Sequence, residues 1–187
     1  MSTPIASKRN GTVKVLGVLA IVAGVVLVIA GAFTWGAVSS NLAAEQITVS
    51  PDAAHFGNDA VNSPWTAWYQ ADAIKHHSLK ASNGLTYAQL GTAITAKQND
   101  LKAQGVSAAD IATNADVVAL QGQRSTVMTG SFLRASLFTS VVSFGVAFFA
   151  FGMGIITLIV GWALLRLSGR RAVAEPAAPA NVQSSAV

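Results

Sequence analysis

Residues 15–38 read VLGVLAIVAGVVLVIAGAFTWGAV, without a charge and with Thr34 as the one polar side chain. A second charge-free run, residues 138–165, lies near the other end of the chain. A hydrocarbon layer about 30 Å thick takes roughly 20 helical residues to cross, and both runs exceed that. Their β-branched content would favour strands in water. In lipid, only a helix or a closed barrel satisfies every backbone amide and carbonyl, and two runs cannot close a barrel. Lys14 and Asn41 bracket the first run, and Arg134 and Arg166 the second. Trp35 and Trp162 sit near run ends, where indoles favour the headgroup layer. The expected fold class is an all-α membrane protein: a two-helix transmembrane hairpin with a small, mostly helical extracytoplasmic domain. The expected divisions are a tail over 1–14, a span over 15–38, the helical domain over 39–134, a span over 135–165 and a tail over 166–187.

A cleaved leader is the competing reading of the first run, with Lys8, Arg9 and Lys14 as its charged head. The apolar stretch of a leader is usually about 7–15 residues, and this run is longer. Ser39-Ser40 and Ala43-Ala44 resemble a cleavage site only weakly.

Charge sets the orientation. Lys8, Arg9 and Lys14 precede the first run, and Arg166, Arg170 and Arg171 follow the second with Glu175. Between residues 41 and 130, five basic side chains meet seven acidic ones. Positive charge gathered in both tails predicts that both termini are cytoplasmic at the cell membrane and that the middle segment is outside. A formal net charge of +4 does not argue for nucleic acid, because no basic side chain is interleaved with a stacking platform. There is no cysteine, which excludes disulfides and thiolate chemistry, so the middle segment must hold by packing alone.

Met1 to Thr12 reads as a short disordered tail, and so does the Ala/Pro/Ser-rich stretch from Ala174. In the first run Gly17, Gly24 and Gly31 recur every seven residues, which keeps them on one face of a helix in a left-handed pair. Ala147, Gly154 and Gly161 repeat the pattern in the second. Small faces let helix backbones approach closely in lipid, so these six predict a seam, either within the hairpin or between copies.

Ile47-Thr48-Val49 reads as a short extended piece, with loop around Pro51 and Gly57. Ser63-Pro64 opens a helix expected to reach Ser82 and stop at Asn83-Gly84. Trp65, Trp68, Tyr69, Asp72, His76 and Leu79 fall on one face of it. The three aromatics are either the core of a small helical cap or a contact with lipid or a partner protein. Thr86-Tyr87-Ala88-Gln89 fits a capping box, and Tyr87, Leu90, Ile94 and Leu101 form the apolar stripe of the helix that follows, ending at Gly105. A third helix starts near Ser107 and is expected to run into the second span, with weak points at Gly122 and Gly130.

The strings SPWTAWYQADAIKHHSL, SFLRASLFTSVVSFGVAFFAFGMG and GWALLRL resemble a family of small two-span membrane proteins of actinobacteria, which often carry the label "aromatic ring-opening dioxygenase". The resemblance covers roughly residues 32–167 and is loosest over 92–123. It implies the two-span plan and brings no chemistry with it. The label itself is rejected on physical grounds: extradiol cleavage wants a ferrous site of two His and one carboxylate around open positions, and an apolar pocket for the ring besides.

Asp72 and His76, four apart on one helix, could share a metal ion, with His55 arriving from the preceding loop. The plainer reading is that Asp72 accepts a hydrogen bond from His76. No nucleophile elbow, P-loop or dinucleotide fingerprint occurs. Neither run carries an ionisable group, which argues against an ion-coupled transporter. The expected function is therefore a non-enzymatic, cofactor-free accessory protein. Its partners would be the lipid bilayer and either further copies of itself or a larger membrane complex. A metal- or pH-sensing module built on Asp72 and His76 is the alternative.

Overall fold

The computed structural model describes residues 6–169. They form five helices: α1 (Ala6–Ala44), α2 (Pro64–Ala81), α3 (Tyr87–Ala103), α4 (Ala108–Thr113) and α5 (Ala115–Gly169). No strand occurs among the described residues. The extended piece at Ile47–Val49 is one isolated antiparallel bridge, Thr48 to Ala60. Around it Val49 N–H donates to Asp59 and Val61 N–H to Ile47, each at 2.9 Å.

Helices α1 and α5 are long and apolar enough to cross a membrane. In their most apolar stretches only 17% and 11% of residues are buried. A core helix of a water-soluble protein would be mostly covered, so these faces need another medium or another chain against them.

Both helices outrun their expected spans. Residues 6–12, expected as part of a disordered tail, belong to α1. Adding a residue to an existing helix fixes few dihedrals for each hydrogen bond gained, and no proline stands between Ala6 and the apolar run, so the helix propagates back through Gly11. At the other end α5 continues past Leu165 to Gly169, and the tail expected from Ala174 lies outside the described residues. The third helix does not run on from Ser107. It stops after Thr113, and Asn114 starts α5. The reason is a competing local bond: Asn114 Oδ1 accepts from Asp116 N–H at 3.1 Å and Val117 N–H at 3.4 Å, an N-cap that opens a new helix. Gly122 and Gly130 lie inside α5 without breaking it.

The expected starts of α2 and α3 hold. Ser63 and Thr66 form a capping box, as do Thr86 and Gln89. Gly84 and Gly105 carry φ of +82° and +80° just past the helix ends, where a side chain would be strained.

The chain divides into two packed units. Among the described residues one comprises 6–28 with 152–169, the other Ile29–Phe151. In the first, α1 and α5 run antiparallel. In the second, one cluster joins Leu42, Val49, Val61, Ala67, Ala71, Leu137 and Phe144. Another joins Ile94, Leu101, Ile111 and Val117, so the α3 stripe is buried except at Tyr87, which is exposed.

Candidate functional site

The glycine-faced seam lies within the chain. In the first unit a Cβ added at Gly24 would stand 2.9 Å from the Gly154 carbonyl oxygen and 2.7 Å from the Leu158 side chain. One at Gly17 would stand 3.0 Å from the Gly161 carbonyl oxygen. One at Gly161 would stand 2.9 Å from the Ile21 amide nitrogen. In the second unit one at Gly31 would meet the Ala147 carbonyl oxygen and the Phe151 nitrogen, both at 2.7 Å. Real side chains are almost never this close to backbone, so glycine is what lets the helices touch. By contrast Gly145 and Gly152 meet nothing within 4 Å.

Helix α2 turns its small face inward. Thr66, Ala67, Gln70, Ala71 and Ala73 are buried, whereas Trp65 and Trp68 are 66% and 51% exposed. The two tryptophans are therefore not the core of a cap. Small side chains let α2 lie close to the cluster formed with α1 and α5, and the bulky rings are left outside. Tyr69 differs from them: it packs beside the core, with its ring centroid 5.0 Å from His55 and 5.4 Å from Phe56. Trp68 rests edge-on against Phe138 at 5.2 Å. Arg134 Nε donates to the Ala71 carbonyl at 3.2 Å, tying α5 to α2. Ser50 N–H donates to the buried Gln70 Oε1 at 2.8 Å, tying the loop to the same helix.

The expected metal set does not assemble. His76 Nδ1 lies 3.0 Å from the Asp72 carbonyl oxygen and 3.5 Å from its carboxylate. His55 packs edge-on against Tyr69 instead of joining them. Among the described residues no group of three or more His, Asp or Glu could hold a metal ion. Sequence reading missed the closer pair, His77 Nε2 donating to Asp52 Oδ2 at 2.7 Å. The His77 hydrogen bond holds the Asp52 carboxyl below the usual carboxylate range. The partners are 25 positions apart, and no local pattern connects them.

Two further ties join α3 to α5. Lys97 Nζ lies 2.7 Å from Asp116 Oδ2, and that bond pushes the Lys97 ammonium pKa up. Arg124 stacks its guanidinium 4.0 Å above the Tyr87 ring centroid. Its buried Nε has no hydrogen-bond partner among the described residues. Arg124 faces an open cleft of about 800 Å³ lined by Thr92, Thr95, Gln98 and Asn99. Among the described residues no histidine, carboxylate or second cation lines it.

The described residues thus offer packing faces and isolated polar pairs rather than a converging set of reacting groups. No protein-family model, curated protein or solved structure matches the chain.

Proposed function

We propose that this is a non-catalytic accessory protein of the cell membrane, spanning it twice with both termini cytoplasmic, which associates with itself or with a larger membrane complex. The observation that carries the reading is the use of the small faces. Gly17, Gly24 and Gly31 are spent on contacts within the chain. That leaves bulky apolar side chains facing outward. Phe148 and Phe149 on α5 are 69% and 67% exposed. Lipid or a neighbouring membrane helix suits such a face, and water does not. The positive tails and the acidic middle segment support the orientation. The exposed aromatic face of α2 is the second surface available outside the spans.

In-cell photo-crosslinking from position 149, with position 158 as the control on the seam side, tests the association. Products joining two copies, or a copy and a membrane protein, at position 149 and not at 158 are expected. Recovery of the monomer alone from both positions would contradict the reading.

A further inference from the structure

The geometry points to the α2 face bearing Trp65 and Trp68 as a lipid contact, seated in the headgroup layer of the leaflet beside the middle segment. The inference rests on the membrane placement proposed above and narrows the faces left for protein partners. Three contacts within Ile29–Phe151 fix the height of α2 against the ends of the apolar runs. Ser39, the first of the polar residues that follow the apolar run of α1, donates its hydroxyl to the Asn62 carbonyl at 2.7 Å, one residue before the α2 cap. Phe138, at the start of the apolar run of α5 and one turn after Arg134, holds the Trp68 ring. Arg134 itself donates to Ala71. Residues 62–71 are thereby tied at both run boundaries, the level where hydrocarbon gives way to headgroups.

The chemistry of the face suits that level. Indoles favour the interface because an apolar ring and a hydrogen-bonding N–H are both satisfied there. Arg134 supplies charge complementarity: Nε is its one hydrogen-bonded nitrogen among the described residues, and the rest of the guanidinium suits a lipid phosphate. Beyond this level α2 turns polar, with Lys75, His76, His77 and Lys80 exposed. Tyr69, packed on His55 and Phe56, is not part of the lipid contact.

Depth-dependent fluorescence quenching tests this in phosphatidylcholine vesicles brominated at acyl carbons 6,7 or 11,12. The full chain carries Trp35→Phe and Trp162→Phe, so that only Trp65 and Trp68 emit. A second protein keeps Trp35 alone as a reference for insertion of the first span. Quenching of Trp35 is expected, beside quenching of Trp65 and Trp68 that is stronger with the shallow bromines than with the deep ones. Quenched Trp35 beside unquenched Trp65 and Trp68 would overturn the lipid contact and leave the spans standing. Blue-shifted emission that follows the protein-to-lipid ratio would then assign the face to a second copy. Stronger quenching of Trp65 and Trp68 by the deep bromines would also overturn it. An unquenched Trp35 would overturn the membrane placement and this inference with it.

Discussion

At Gly24, a single hydrogen in place of a methyl decides whether two helices can touch. An added Cβ would meet backbone atoms of Gly154 and Leu158 at 2.9 Å, and backbone cannot rotate out of the way as a side-chain end can. Gly24→Ala should therefore cost about 1–3 kcal/mol of unfolding free energy in bicelles, the usual range for overpacking. Gly145→Ala, with nothing within 4 Å, should not destabilise, and helix propensity favours it by about 0.5–1 kcal/mol. Equal effects at the two sites would mean that the seam is not where the helices bear on each other. The sevenfold spacing of these glycines was legible in sequence because it follows from helix geometry alone. Which helix they face was not, since a packing face looks the same whether its partner lies in the same chain or another. Asn114 is a comparable case. Its cap was overlooked because neither proline nor glycine marks the break, although Asn followed by Asp116 two residues later is a readable start signal.

At the scale of elements, α2 shows why a face cannot be assigned from apolarity alone. Its helical span and both ends followed from local bonds, the Ser63–Thr66 capping box and the Asn83-Gly84 stop. Its orientation depended on distant partners. Ala67 and Ala71 pack into the cluster with Leu137 and Phe144, and the two indoles are left exposed on the opposite side. The loop before α2 is held by contacts of the same long-range kind, Ser50 to Gln70 and Asp52 to His77. The second gives a pH dependence whose sign is fixed. The folded Asp52 carboxyl lies below its ordinary value of 3.8, so its contribution to stability is present above that pH. It is lost as pH falls through the folded value. Asp52→Asn should lower the melting temperature slightly at pH 6, and the difference from wild type should shrink below about pH 4. Thermal unfolding followed by circular dichroism across that range is the check. A difference unchanged down to pH 2 would mean that the His77 bond is not its source.

For the whole molecule, the charge-free runs carried most of what could be read. The requirement that lipid imposes on backbone groups is so strict that composition alone selects helices. The ties among α2, α3 and α5 came from long-range contacts that no spacing rule reaches. The central claim is that α1 and α5 cross the bilayer in opposite directions, with the segment between them outside the cell. The absence of cysteine makes single-cysteine labelling a clean test. Lys102→Cys and Gly11→Cys both place a thiol at an exposed position. A membrane-impermeant maleimide added to intact cells should label the first, and should reach the second only after permeabilisation. Labelling of position 11 in intact cells, or of neither position until the cells are opened, would contradict the account.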